Sequence, residues 1–346
     1  MSAKKLLKSL CFLVPSAVLL YALIWWFLAI YLVQIQDDWI AEWKNDGNEL
    51  SFEDRSRSGF PFTWSLDYKN FLISKNAGSG NKIDITGPLI SLHWSPLEPK
   101  AFSLSGSDIR LEGTNGSQAD KLINVMTTHF SGKIGPRRQT WRRYSVRARN
   151  VSLLTHQTYK FFVSEIGSKI LIQKPVRTEV TVPEIAKITA EMVGITFPKE
   201  IKISPPPVIK ELLLKATLSG EVRDSGSIKS KLSHWRDTGG VIDLNRLFGR
   251  SETADIDLNG TLTLDRALRP LVSISMKLSG LKNTLNKVAR AGFIKPSDLL
   301  ILRILLASLS EPTKDGKERI TLSLSVQDGW LYIGPLKVFR LEPVLD

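Results

Sequence analysis

From Phe60 the chain alternates without a miss: Phe60, Phe62, Trp64, Leu66 and Tyr68 against Pro61, Thr63, Ser65, Asp67 and Lys69. Period-two alternation puts every second side chain on one face of a strand, so one face is apolar and the other wet. The same rhythm recurs along the chain. Ile83 and Ile85, then Ile90, Leu92 and Trp94, lie on either side of Gly87-Pro88. Leu212 to Val222, Ile256 to Leu264, Val272 to Leu278 and Ile320 to Val326 repeat it. One-sided strands of this kind predict antiparallel sheet rather than parallel sheet buried on both faces. Asp265 to Pro270 ("DRALRP") reads as a short loop between two of them, and Asp328-Gly329 as a two-residue hairpin turn.

Three stretches predict helix: Ser117–Phe130 with Leu122, Val125 and Met126, Leu281–Ala291 ending at Gly292, and Ser297–Leu309 after Pro296. The fold class expected is therefore α+β, predominantly antiparallel β, with a long curved sheet and two or three covering helices. A groove, a sandwich and a barrel-like closure all satisfy the pattern. Near Asn70 the alternation changes phase, because Phe71 and Ile73 take the apolar positions, which predicts a bulge or bend. Gly59, Phe60, Pro61 and Phe62 read as a structural signature, the step by which the chain enters the sheet, with both Phe rings tucked under it.

The N-terminal pattern differs. No charged residue occurs from Ser9 to Gln36, and Leu10 to Val33 is apolar apart from Pro15 and Ser16. About 20 helical residues cross a bilayer core, so this stretch is long enough to span. Trp25, Trp26 and Tyr31 suit an interfacial belt, and Lys4, Lys5 and Lys8 before the stretch with Asp37, Asp38 and Glu42 after it favour a cytoplasmic N-terminus. The rival reading, a cleaved signal peptide, meets too long an apolar region and no A-x-A-like site. The expected organisation is a tail at 1–8, a transmembrane helix at 9–36, a stalk helix at 37–50 with Trp39, Ile40 and Trp43 on one face, and a β-rich body at 51–346. A faint repeat (Pro96–Gly106 against Pro270–Gly280) around the break at Ser204–Val208 suggests halves at 51–204 and 208–346.

Composition adds little to this picture. The 346 residues include one cysteine, Cys11, so no intrachain disulfide and no cysteine metal site can form. His93, His129, His156 and His234 are scattered, no nucleophile elbow or phosphate loop is present, and Asp255 and Asp257 share only the wet face of one strand. The expectation is a protein that is not an enzyme and uses no cofactor. Charge changes the picture in one place. Eight of the 47 Lys and Arg residues (Lys121, Lys133, Arg137, Arg138, Arg142, Arg143, Arg147 and Arg149) fall in a stretch free of Asp and Glu. Beyond a membrane, nucleic acid is no partner for it; anionic lipid headgroups or acidic envelope polymers are. Arg137, Arg138, Arg142, Arg143, Arg147 and Arg149 are the candidate anion contacts.

Several blocks in order, "DDWIAEW", "SRSGFPF", "WRDTGGVIDL", "LNGTLTLDRALRP" and "DGWLYIGPLKV", resemble the bacterial domain-of-unknown-function family 2125. The resemblance implies an envelope protein anchored in the bacterial inner membrane with a periplasmic body, and it carries over no catalytic residue. More distantly, the layout is similar to AsmA-like and lipopolysaccharide-transport β-groove proteins, at the level of fold only. The function expected is a binding module for lipid or another amphiphile; the alternative is a structural protein contacting an envelope partner.

Overall fold

The structure is a computed structural model describing the chain outside residues 1–2, 79–80, 115–120, 137–139, 156–158, 174–181, 199–207, 224, 281–285, 287–288, 290–299, 301–302, 305–309, 313–317 and 343–346. It divides into two compact units, Met1–Ser131 and Gly132–Asp346. The expected dominance of antiparallel strands holds, since every pairing given below is antiparallel.

The first unit opens with one helix, α1 (Ala3–Asn45). Over residues 19–45 it is long enough, and apolar enough ahead of Asp37, to cross a membrane. Gly47, at φ +78°, ends the helical path. Five strands follow: β1 (Glu49–Ser51), β2 (Asp54–Ser58), β3 (Trp64–Gly78), β4 (Asn81–Trp94) and β5 (Phe102–Thr114). β1 and β2 lie along one edge of β3 in a single register, β4 lies along the other, and β5 follows β4. The apolar residues of the alternation meet across the ladder, Leu66 opposite Leu92 and Leu92 opposite Leu104.

α1 lies on that apolar face. Ala29 and Val33, with Trp25 and Leu32, pack against Trp64, Leu66, Tyr68, Phe71 and Ile109. The spacing of three and four residues is the stripe a helix needs to bury one side. Leu66 is fully buried and Trp64 and Phe71 are nearly so, which makes this contact the core of the first unit. Ile40 is buried, whereas Trp39 points outward and stacks on Trp43 at 5.4 Å between ring centroids. Trp39 and Ile40 therefore do not share a face as the sequence suggested, because a 100° step per residue separates neighbours. Arg55 on β2 pairs with Asp37 of the helix.

The phase change at Asn70 is real, but its cause is not an inserted residue. Lys69 pairs with Leu89 and Phe71 with Gly87, so the register is the same on both sides. Asn70 instead takes a left-handed conformation at φ +46°. That turns the pleat over and returns Phe71 and Ile73 to the apolar face. By register, Glu53, Asn70, Pro88 and Asp108 lie in one row, and Asp108 is also left-handed at φ +48°. Asn and Asp tolerate this region better than other side chains. The second unit has an equivalent row, Asn150 (φ +50°), Ser164, Gly194 (φ +65°) and Lys210.

β6 (Lys121–Ile134) carries the chain into the second unit. The helix expected over 117–130 is thus corrected to a strand. Leu122, Val125 and Met126 mimic helical spacing, but the Thr127–Phe130 stretch that follows is β-favouring and Thr127 is buried. The second unit then runs β7 (Trp141–Thr155), β8 (Tyr159–Gln173), β9 (Glu184–Thr196), β10 (Val208–Ser219), α2 (Ile228–Asp237), β11 (Val241–Ser251), β12 (Asp255–Leu264), β13 (Pro270–Ser279), β14 (Ser310–Pro312), β15 (Glu318–Gln327), β16 (Trp330–Ile333) and β17 (Leu336–Arg340). Each of β7 to β12 pairs with the next, β13 pairs with β15, and β16 and β17 continue the meander. β14 occupies the same edge of β15 as β16, further along it. The hairpin at Asp328-Gly329 has both residues at positive φ, +51° and +75°, as a type I′ turn requires. The helices expected over 281–291 and 297–309 lie largely outside the described residues.

Helix α2 was not legible in the strand rhythm. Ser227 caps it, accepting a hydrogen bond from the Ser230 amide at 3.2 Å. Its buried residue, Trp235, donates from Nε1 to the Ser219 carbonyl at 2.8 Å and packs with Leu264, Leu268, Leu218, Leu232 and Ile242. Gly220 and Gly240 make room for it: a Cβ at Gly240 would lie 2.3 Å from the Trp235 carbonyl oxygen. Below this plug, the Asp265 carboxylate accepts from the Ala267 and Arg269 amides, each at 2.8 Å, and from Arg269 Nε at 2.7 Å. Arg236 donates to the Asp265 and Arg266 carbonyls.

Burial opposes ionisation of Asp265, but the hydrogen bonds and charge of Arg269 outweigh it and hold the carboxyl below its usual range. A lowered folded pKa contributes stability that is complete above the unfolded value of about 4 and lost as pH falls through the folded one. Replacing Asp265 with alanine should cost about 1–3 kcal/mol at neutral pH, read by urea unfolding. In Asp265→Asn the fall in stability below about pH 4 should be shallower than in the parent chain.

Candidate amphiphile-binding face

The register of the second unit assembles the separate alternations into one surface. Taken from β7 through β13 to β15, Ala148, Ile166, Met192, Leu212, Gly249, Ile256, Leu278 and Ile320 are successive cross-strand partners. Two residues along lies Val146, Ser168, Ala190, Leu214, Leu247, Leu258, Met276 and Leu322. The next row is Tyr144, Ile170, Ile188, Ala216, Leu244, Gly260, Ile274 and Leu324. The last is Arg142, Ile172, Ala186, Leu218, Ile242, Leu262, Val272 and Val326. Only Ser168 and Arg142 break four rows of apolar or glycine positions. β11 keeps this face through a bulge at Asn245 and Arg246, where the register slips by one residue.

Seven inter-strand steps of about 4.8 Å and three two-residue steps of about 6.8 Å make a patch of roughly 34 by 20 Å. That footprint is roughly 700 Å², and the protein itself covers only part of it. The patch is incompletely buried. Ile320 and Val326 at one side are covered, but Val146 and Ile172 remain 43% and 45% exposed, and most of the side chains between are half-buried. α2 covers the end carrying Leu218 and Ile242.

The opposite face is wet and internally paired. Asp257 receives Arg246 Nε at 3.1 Å and Nη2 at 2.9 Å, and Asp255 meets Arg250 at 3.5 Å. Both guanidinium groups also sit over the Phe248 ring. The two aspartates are thus each engaged by a cation rather than facing each other. Among the described residues no group of three or more His, Cys, Asp or Glu side chains gathers to hold a metal. His93 contacts Ser105, His129 contacts Thr128, and His234 lies 3.7 Å from Glu221. His156 lies outside the described residues.

The basic stretch is split. Arg137 and Arg138 lie outside the described residues. Arg142, Arg143, Arg147 and Arg149 are on β7, with Arg143, Arg147 and Arg149 on the wet face beside Ser145. Arg147 and Arg149 share Glu165 of β8, at 3.1 and 3.7 Å. Arg142 stands at the corner of the apolar patch opposite Ile172. Gly59, Phe60, Pro61 and Phe62 lie ahead of β3 rather than in it, and Phe60 and Phe62 are 53% and 65% exposed instead of tucked under the sheet. Strand-like alternation does not distinguish a strand from a loop that continues its rhythm.

Residues 180–342 match the family described as "Uncharacterized protein conserved in bacteria (DUF2125)". The DUF2125 match takes in β9 to β17, and with them the α2 plug, the Asp265 knot and most of the apolar face. The sequence blocks from Trp235, Leu258 and Asp328 onward fall inside it; those at Asp37 and Ser56 precede it. The first block supplies the Trp235 plug and Gly240 beneath it, the second the Asp265 turn, and the third the I′ hairpin whose Asp328 carbonyl accepts from Arg269. No curated protein and no solved structure matches the chain, so the likeness to AsmA-like proteins remains an analogy of layout.

Proposed function

We propose that the second unit is a non-enzymatic binding module whose apolar face takes up the acyl chains of a lipid or another amphiphile of the cell envelope. We also propose that α1 holds the chain in the bacterial inner membrane, with its N-terminus cytoplasmic and its body periplasmic. The observation that carries the binding reading is the four-row apolar patch, left half-exposed in a sheet whose other face is wet and ion-paired. An extended apolar surface with few polar groups suits flexible hydrocarbon, which needs contact area and no hydrogen bonds. Arg142 at the patch corner suits an anionic headgroup, because a guanidinium presents paired donors to phosphate or carboxylate.

The test is to purify the full-length chain from bacterial membranes in a mild detergent, extract it with organic solvent and quantify lipids by mass spectrometry. The expected result is at least one acyl lipid per chain that survives detergent exchange. A lipid content no higher than that of a single-pass protein with an unrelated body would refute the binding reading.

A further inference from the structure

We infer that the Gly59–Thr63 turn and the Ser95–Pro99 loop form a foot that inserts into the bilayer beside α1. This rests on the reading of α1 as a membrane anchor. The turn is fixed to the helix well inside its apolar stretch. The Tyr21 hydroxyl donates to the Pro61 carbonyl at 2.5 Å, and Trp25 meets Phe60 edge-on at 5.2 Å between centroids. Ser95 then ties the second loop to the first, donating from Oγ to the Phe62 carbonyl at 2.8 Å. Phe60, Phe62 and Leu97 are 53%, 65% and 75% exposed. Three large apolar side chains are thus held out at the level of helix residues 21–25.

The dimensions fit insertion. From Trp25 onward one side of α1 is against the sheet, so the stretch ahead of that contact ends at Ile24. Leu10 to Ile24 is about 15 residues, or about 22 Å of helix. A hydrocarbon core is about 30 Å thick. The difference of about 8 Å matches the 5–10 Å to which interfacial elements sink. Sinking the foot that far sets the headgroup boundary about five residues further along the helix, near Ile30 and Tyr31. The outward face there is still apolar, Trp26 and Phe27 being 61% and 68% exposed, and Tyr31 at 54% presents the ring and hydroxyl favoured at an interface.

The turn is also chemically suited to hydrocarbon, where an unpaired backbone group is costly. The Gly59 carbonyl accepts from the Thr63 amide at 2.9 Å and its hydroxyl at 3.0 Å. The Pro61 and Phe62 carbonyls have the side-chain donors named above, and Pro61 has no amide hydrogen. Glu98 and Lys100 follow Leu97, and a lysine can extend its ammonium back to the headgroups.

The experiment uses the full chain in lipid nanodiscs with Cys11→Ser, carrying one nitroxide at a time at Phe62→Cys, Leu97→Cys, Leu20→Cys or Ser275→Cys. Collision with oxygen, which partitions into lipid, is compared with collision with a water-soluble nickel complex. Labels at 62 and 97 should lose most of the nickel collision seen at 275, approaching the label at 20. Labels at 62 and 97 as open to nickel as 275, with 20 still shielded, would overturn the foot and leave the anchor standing. A water-exposed label at 20 would overturn both.

Discussion

Placing a single lysine at Leu258 should remove the bound lipid while the protein stays folded. Leu258 is central in the patch, opposite Leu247 on one side and Met276 on the other. An acyl chain lying there would have to desolvate the ammonium without pairing it, a cost of several kcal/mol in apolar surroundings. Every 1.4 kcal/mol is a factor of ten in affinity, so retained lipid should fall by at least about tenfold. Leu258 is half-buried, so the unbound protein can keep the new charge in water. Ser275→Lys is the matched control. It lies on β13, next to Met276 in sequence, but points to the wet face opposite Asn259 and Ser323. Its lipid content should match the parent. Equal loss in both variants would mean that added charge acts through something other than the apolar face.

Trp235→Ala should have the largest effect on stability, about 3–5 kcal/mol. Trp235 is 5% exposed, fills the space above Gly220 and Gly240, and donates its indole N–H in a hydrogen bond to the Ser219 carbonyl. Truncation leaves a cavity, takes the indole donor from the Ser219 carbonyl, and leaves α2 held by Leu232 and by the Arg236 hydrogen bonds to the Asp265 and Arg266 carbonyls. α2 is only ten residues long, and helices of that length depend on tertiary contact. Chemical unfolding followed by far-ultraviolet circular dichroism should show a lower midpoint, and trypsin should cut near Lys229 and Lys231. A loss under 1 kcal/mol would mean that α2 is an ornament rather than the plug at the end of this sheet.

The strands were legible because each is apolar on one side, and one-sided burial writes its period directly into the sequence. Even the crease was visible at Asn70 as a change of phase, although periodicity cannot tell a left-handed residue from an inserted one. What was not legible depends on distance in the chain. Leu212, Leu258 and Leu278 each announce a strand, but only the register shows that their faces join. In β6, Leu122, Val125 and Met126 fit a helix as well as a strand, and the pairing that decides is non-local. In α2, Ile228, Leu232 and Trp235 give only a weak stripe; the Ser227 cap and the Gly239-Gly240 stop are its local signals. Phe60 and Phe62 extend a strand rhythm into a turn, and that turn is held by Tyr21 and Trp25 of α1 and by Ser95, contacts that no local pattern contains. The arginines on β7 formed a true basic face, but Glu165 answers two of them from the neighbouring strand.

The central claim, that hydrocarbon occupies the apolar face of the second unit, is tested most directly by site-specific photocrosslinking in living cells. A benzophenone amino acid is placed at Leu214, Leu258 or Met276 on the apolar face, and at Lys215, Asn259 or Ser275 on the wet face. After irradiation the purified chain is digested and its adducts are identified by mass. Acyl-lipid adducts at 214, 258 and 276, absent at 215, 259 and 275, are the result expected. Adducts at the first three positions that join them only to other parts of the same chain would contradict it, because the face would then be a filled core.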